Sequence, residues 1–116
     1  MQVPIGPEGT ATVVLDSSGD GTAKVGPAGM REIWQPALAS VQCSSNTDEA
    51  TCQVAFGQDL ATARFLDATF TGSSGDSTDR VSGAAPLRLG WSVFATWTGG
   101  DPGATATLTV TGTKTI

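Results

Sequence analysis

The side chains that carry most protein chemistry are thin in this sequence. It holds no His and no Tyr. His is the commonest general base, so neither a Ser-His-Asp nor a Cys-His site can be assembled from one copy. A Ser-Lys pair would need Lys24 or Lys114, and both sit in alternating strand patterns as solvated lysines. Asp16, Asp20, Asp48, Glu49, Asp76, Asp79 and Asp101 fall among turn-forming residues. Glycoside hydrolysis needs two carboxyls flanking a cleft. Glu32 and Asp67 lie in or beside strand patterns, with nothing in the sequence to pair them.

Calcium is the metal to test. Asp16, Ser18, Asp20 and Gly21 match the first half of an EF-hand loop, but the twelfth position is Pro27 and no helix pattern flanks it. A different loop site, at Asp16 and Asp20 or at Asp76 and Asp79, competes with their ordinary role as turn residues. We expect no catalytic residue, no metal and no cofactor.

Cys43 and Cys52 are the only cysteines. If they end the two strands of a hairpin, a disulfide could close the polar loop between them, stabilising by roughly 2–3 kcal/mol. The alternative is a pair of half-buried thiols, as a reducing compartment favours. Two thiols are too few for structural zinc. Trp91 and Trp97 share a strand face with Val93 and Ala95, which reads as core, whereas the direction of Trp34 is open.

The elements that must hold these residues are strands. Thr, Gly and Pro interrupt every window that might run as a helix. Short alternating segments recur between Gly/Ser/Asp clusters, as in an all-β fold. From Trp91 to Trp97, and from Ala104 to Val110, apolar residues alternate with polar ones, so each strand has one apolar face. Thr98–Gly103 supplies turn chemistry between them and predicts a hairpin. A second hairpin is expected from Thr10–Leu15 and Thr22–Val25, and a third from Pro36–Cys43 and Cys52–Gly57. Arg31–Gln35, Phe65–Thr71 and Leu87–Leu89 add shorter strands. The sum is an antiparallel β-sandwich of about seven to nine short strands, Ig-like or jelly-roll-like. Residues 72–79 read as an exposed loop. Residues 1–9 read as an extended N-terminal arm, and residues 10–116 as one domain.

The chain has 116 residues, 39% hydrophobic and 15% charged, with a net charge of −5. That size closes one core without a metal. Its six basic residues are scattered along the sequence, which argues against binding nucleic acid or a membrane surface. No stretch approaches the length of a membrane-spanning helix. The N-terminus lacks the pattern of a secretory signal, so either the protein is made and assembled in the cytoplasm, which Met1 favours, or a signal has been removed.

The run Trp97–Thr113 resembles the C-terminal signature of small virion proteins from tailed phages of actinobacteria. Val25-Gly26-Pro27 followed by Trp34, Cys43 and Cys52 around a polar loop, and Phe70–Ser77 extend the resemblance. The resemblance implies a non-enzymatic virion structural protein: a capsid decoration or accessory protein, or else a minor tail protein. It would be assembled in the host cytoplasm, present in many copies or as a homo-oligomer, with major capsid or tail proteins as partners. An arm carrying Val3, Pro4, Ile5 and Pro7 could then lie along a neighbouring subunit's sheet edge as an assembly contact. The competing expectation is a carbohydrate-binding adhesion module, which requires Trp34 or Trp91 exposed near Asp or Arg.

Overall fold

A computed structural model of the chain describes residues 2–44, 50–58, 64–71, 76–80 and 87–115, without the side chains of 64–71 and 76–80. Among the described residues there are nine strands: β1 (Gln2–Pro4), β2 (Thr10–Val14), β3 (Gly21–Val25), β4 (Ile33–Cys43), β5 (Ala50–Gly57), β6 (Arg64–Thr71), β7 (Asp76–Arg80), β8 (Ser92–Thr98) and β9 (Thr105–Thr115). They form two antiparallel sheets. One has the order β2-β9-β4-β7, with β1 in line with β2 along the same side of β9. The other has the order β3-β8-β5-β6. The chain changes sheet at nearly every connection, which makes the sandwich a jelly roll.

Three expected hairpins therefore do not form, although their strands do. β2 pairs with β9 and β3 with β8; β4 pairs with β9 and β5 with β8; β8 and β9 lie in opposite sheets. Turn residues reverse the chain, but each of these reversals crosses the sandwich. The β5–β6 pair is a true hairpin.

Alternation decides which side chains enter the core. Val93, Ala95 and Trp97 on β8 are fully buried, as are Ala106, Leu108 and Val110 on β9. Val41 and Trp34 on β4 and Val54 on β5 complete its centre. Thr residues take the outer faces, where Thr12 meets Thr107 at 3.3 Å and Thr22 meets Thr96 at 3.4 Å between hydroxyl oxygens.

Two expected strands around Pro36 are one. β4 runs from Ile33 through a bulge between Pro36 and Leu38. A bulge is where a strand tolerates a residue without a backbone N–H. Asp76 and Asp79 lie on strand β7 and not in a loop. Residues 72–75 of that expected loop, and residues 45–49 between the cysteines, fall outside the described residues. Leu87 makes a single bridge to Trp34.

The N-terminal arm is extended, but it pairs within its own chain. Gln2, Val3 and Pro4 pair with Thr115, Lys114 and Thr113, and the Ile5 N–H donates to the Gly112 carbonyl at 3.0 Å. Ile5 is buried, a single 3₁₀ turn spans Pro7–Gly9, and β2 follows at once. Residues 2–9 therefore pack on the sandwich, with β1 an edge strand paired on one side with β9 of its own chain.

Candidate functional site

The loop carboxylates serve the fold. Asp16 Oδ1 accepts the Ser18 and Asp20 N–H groups at 2.8 and 3.1 Å, an Asx-type turn. Asp20 Oδ1 accepts the Gly99 N–H at 3.1 Å, and Gly100 N–H donates to the Gly19 carbonyl at 3.0 Å. The loop before β3 is thus zipped to the loop before β9. Gly19 sits at φ +78°, and a Cβ there would overlap the Gly100 carbonyl. Among the described residues, no cluster of three potential metal ligands exists.

Cys43 and Cys52 are both buried, and no disulfide joins them. The expected hairpin would have brought them together. Instead Cys43 ends β4 in one sheet, and Cys52 lies in β5 in the other.

A charged network closes the opposite end of the sandwich. Lys114 occupies the inner-facing series of β9 after Ala106, Leu108, Val110 and Gly112. Its ammonium is paired with Glu8 and lies 3.5 Å from Glu32 Oε1. Glu32 also accepts the Trp34 indole N–H at 3.4 Å and the Gly29 N–H at 2.8 Å. The lysine read as solvated is in fact the hub that ties the Pro7–Gly9 turn, the β3–β4 loop and β9 together. Its parity on β9 was the signal.

The network predicts a pH response. The hydrogen bond from Lys114 holds Glu8 below the usual carboxylate range, and the Trp34 indole does the same for Glu32. The Glu8 hydrogen bond raises Lys114. The lowered carboxyls stabilise the fold above their unfolded pKa of about 4.3, and this is lost as pH falls through their folded values. The raised lysine stabilises fully below about 10.4, and this is lost as pH rises through its folded value. Melting temperature should fall at both extremes, and Lys114→Met should flatten both limbs. An unchanged pH profile in that variant would show the network to be inert.

The tryptophans divide. Trp34 and Trp97 are fully buried, so neither offers a stacking surface. Trp91 is 38% exposed, against the expectation that it belongs to the core. It lies one residue before β8, in a turn where its N–H donates to the Arg88 carbonyl at 2.9 Å and Gly90 takes φ +94°. Leu89 and Met30 are exposed at the same end of the sandwich.

The fold and these sites together define a jelly-roll domain in which Asp16 and Asp20 close loops and Glu8 and Glu32 pair with Lys114. No protein-family model matches the chain, and no curated protein matches it in sequence. Solved structures do. PirA superposes with a TM-score of 0.56 at 9% identity, over 91% of this chain and 96% of that one. The Yersinia pseudotuberculosis-derived mitogen gives 0.54 at 10% identity, over 88% and 82%. At such identities the likeness shows the fold alone.

Proposed function

We propose that this protein is a non-catalytic structural component of a bacteriophage virion, a capsid decoration or accessory protein held in many copies. A minor tail protein is the variant of the same reading. One observation carries it. Asp16, Asp20, Glu8, Glu32 and Lys114 bond within the fold to brace loops and edges, while the large apolar groups left exposed gather mainly at one end. That arrangement suits docking better than turnover. The run Trp97–Thr113, which carries the resemblance to virion proteins, supplies the end of β8, the loop and most of central strand β9. Jelly rolls serve as capsid and as lectin domains, so the fold admits this role without deciding it. Quantitative mass spectrometry of purified particles, made by the phage whose genome encodes the chain, tests it. We expect many copies per particle; presence in the lysate but absence from particles would overturn the proposal.

A second reading, a carbohydrate-binding adhesion module, is supported by the exposure of Trp91 beside the Arg88 turn. Trp91 is the one exposed tryptophan, so its emission reports directly on a stacked sugar. Fluorescence unchanged by host cell-wall polysaccharide removes this reading.

A further inference from the structure

The six basic residues are scattered along the sequence but gathered by the topology. Arg31 and Arg88 lie in the loops before β4 and β8. Lys114 is near the end of β9, and Lys24 near the end of β3. Arg64 opens β6 opposite Phe56, and Arg80 closes β7 opposite Leu38. All six sit in the half of the sandwich towards which β3, β5 and β7 run. Asp16, Asp20 and Asp101 lie in loops at the other end, and Asp76 opens β7 there. Glu8 and Glu32 lie in the same half as the bases, as do Asp67 opposite Val54 and Asp79 opposite Ala39. The net charge of −5 thus conceals one end with acids and no base, and another where six bases meet these four acids, along a body of 45 × 25 × 22 Å.

The end that holds the bases is also the apolar end. Of the four large hydrophobic residues exposed among those described, Met30, Leu89 and Trp91 lie there. The two loops that carry them are fastened together. Val25 pairs with Val93, the backbone of Gly26 packs on the Trp91 carbonyl, and Trp34 and Leu87 exchange N–H···O bonds of 2.8 Å. Glu8 and Glu32 neutralise Lys114. Arg31 and Arg88 are exposed and have no ion partner among the described residues.

We propose that this end, carrying Met30, Leu89, Trp91, Arg31 and Arg88, is the docking face, and that its partner is an acidic protein surface with an apolar recess. The inference rests on the structural role proposed above. Trp, Met and Arg are the residues enriched at protein interfaces, where Lys is depleted. An anionic membrane gives only about 1 kcal/mol for each basic residue, so two exposed arginines anchor weakly on lipid. The end face is small. A standard interface takes about 800 Å² from each partner, more than a 25 × 22 Å cross-section provides. A single contact is therefore weak and salt-sensitive, and many copies on one particle hold through repetition.

The test uses particles produced without this gene and loaded with purified full-length protein, bound copies being counted after sedimentation. Wild type should load, and loading should fall as salt rises from about 0.1 M to about 1 M, where screening shortens from ~10 Å to ~3 Å. R31E/R88E and W91A should each weaken loading by about tenfold or more while melting like wild type. Q42E/T98E, acidic changes on exposed outer-face positions, should load normally. If the tip variants load like wild type, the docking face is wrong while the structural role stands. If wild type is missing from native particles, the role fails and the inference with it. Phosphatidylglycerol vesicles and duplex DNA serve as further arms; tighter binding to either, lost in the same variants, overturns the protein partner.

Discussion

Gly112→Val should cost about 3 kcal/mol, lowering the melting temperature by roughly 12 °C in a domain of this size. Gly112 sits at φ +150° on β9, opposite the bulge that Pro36 makes in β4. A Cβ at this position would run into the Gln35 carbonyl and the Ala37 nitrogen. Both are backbone atoms of the adjoining strand, so no rotamer change relieves the overlap. The two strands would have to part where Ile5 also bonds to the Gly112 carbonyl. A β-branched side chain adds strain at a φ that L-residues rarely adopt. Thermal unfolding followed by circular dichroism measures the effect. A valine variant that melts with wild type would mean the bulge is not held as described.

Two buried tryptophans should respond differently to the same change. Replacing either by alanine removes a large core side chain and should cost about 3–5 kcal/mol. Phenylalanine separates them. The Trp34 indole N–H donates to Glu32, so Trp34→Phe leaves a half-buried carboxylate short of one donor and loosens the Lys114 network. The Trp97 indole N–H is buried and finds no acceptor among the described residues. An unpaired buried donor costs about 1–3 kcal/mol, which Trp97→Phe removes along with some packing. Trp97→Phe should therefore be the milder of the two by about 1 kcal/mol or more. Denaturant titration of both variants decides it, and equal losses would show that Trp97 gains nothing by shedding its N–H.

The sequence displays faces better than partners. Alternation is a local property, so the inward series of β8 and β9 could be read directly from Val93-x-Ala95-x-Trp97 and Ala106-x-Leu108-x-Val110. The same parity reached Lys114, but a lysine invites a solvent reading, and its acids lie far away at positions 8 and 32. Trp91 erred in the other direction: its spacing fits β8, yet the strand starts after it, at the end of the Gly90 turn. Strand pairing was not legible. Asp16–Gly21 and Thr98–Gly103 announce reversals with equal force whether the chain returns to its own sheet or crosses to the facing one. That ambiguity also hid the placement of Cys43 and Cys52 in opposite sheets, and the gathering of six dispersed basic residues into one half. The arm was recognisable as extended, but an extended segment does not reveal whose edge it will occupy.

Connections that cross from sheet to sheet also set the pace at which this domain forms. Apart from β5–β6, no described strand pairs with its neighbour in sequence; β2 must wait for β9, and β3 for β8. Loop closure is costly before such distant contacts repay it, which places domains of this kind in the millisecond-to-second range. The same interlacing opposes piecemeal opening, because freeing central β9 means releasing β1, β2 and β4 together. For such a chain the useful measure of durability is the half-life of the folded state, a rate and not a difference in free energy.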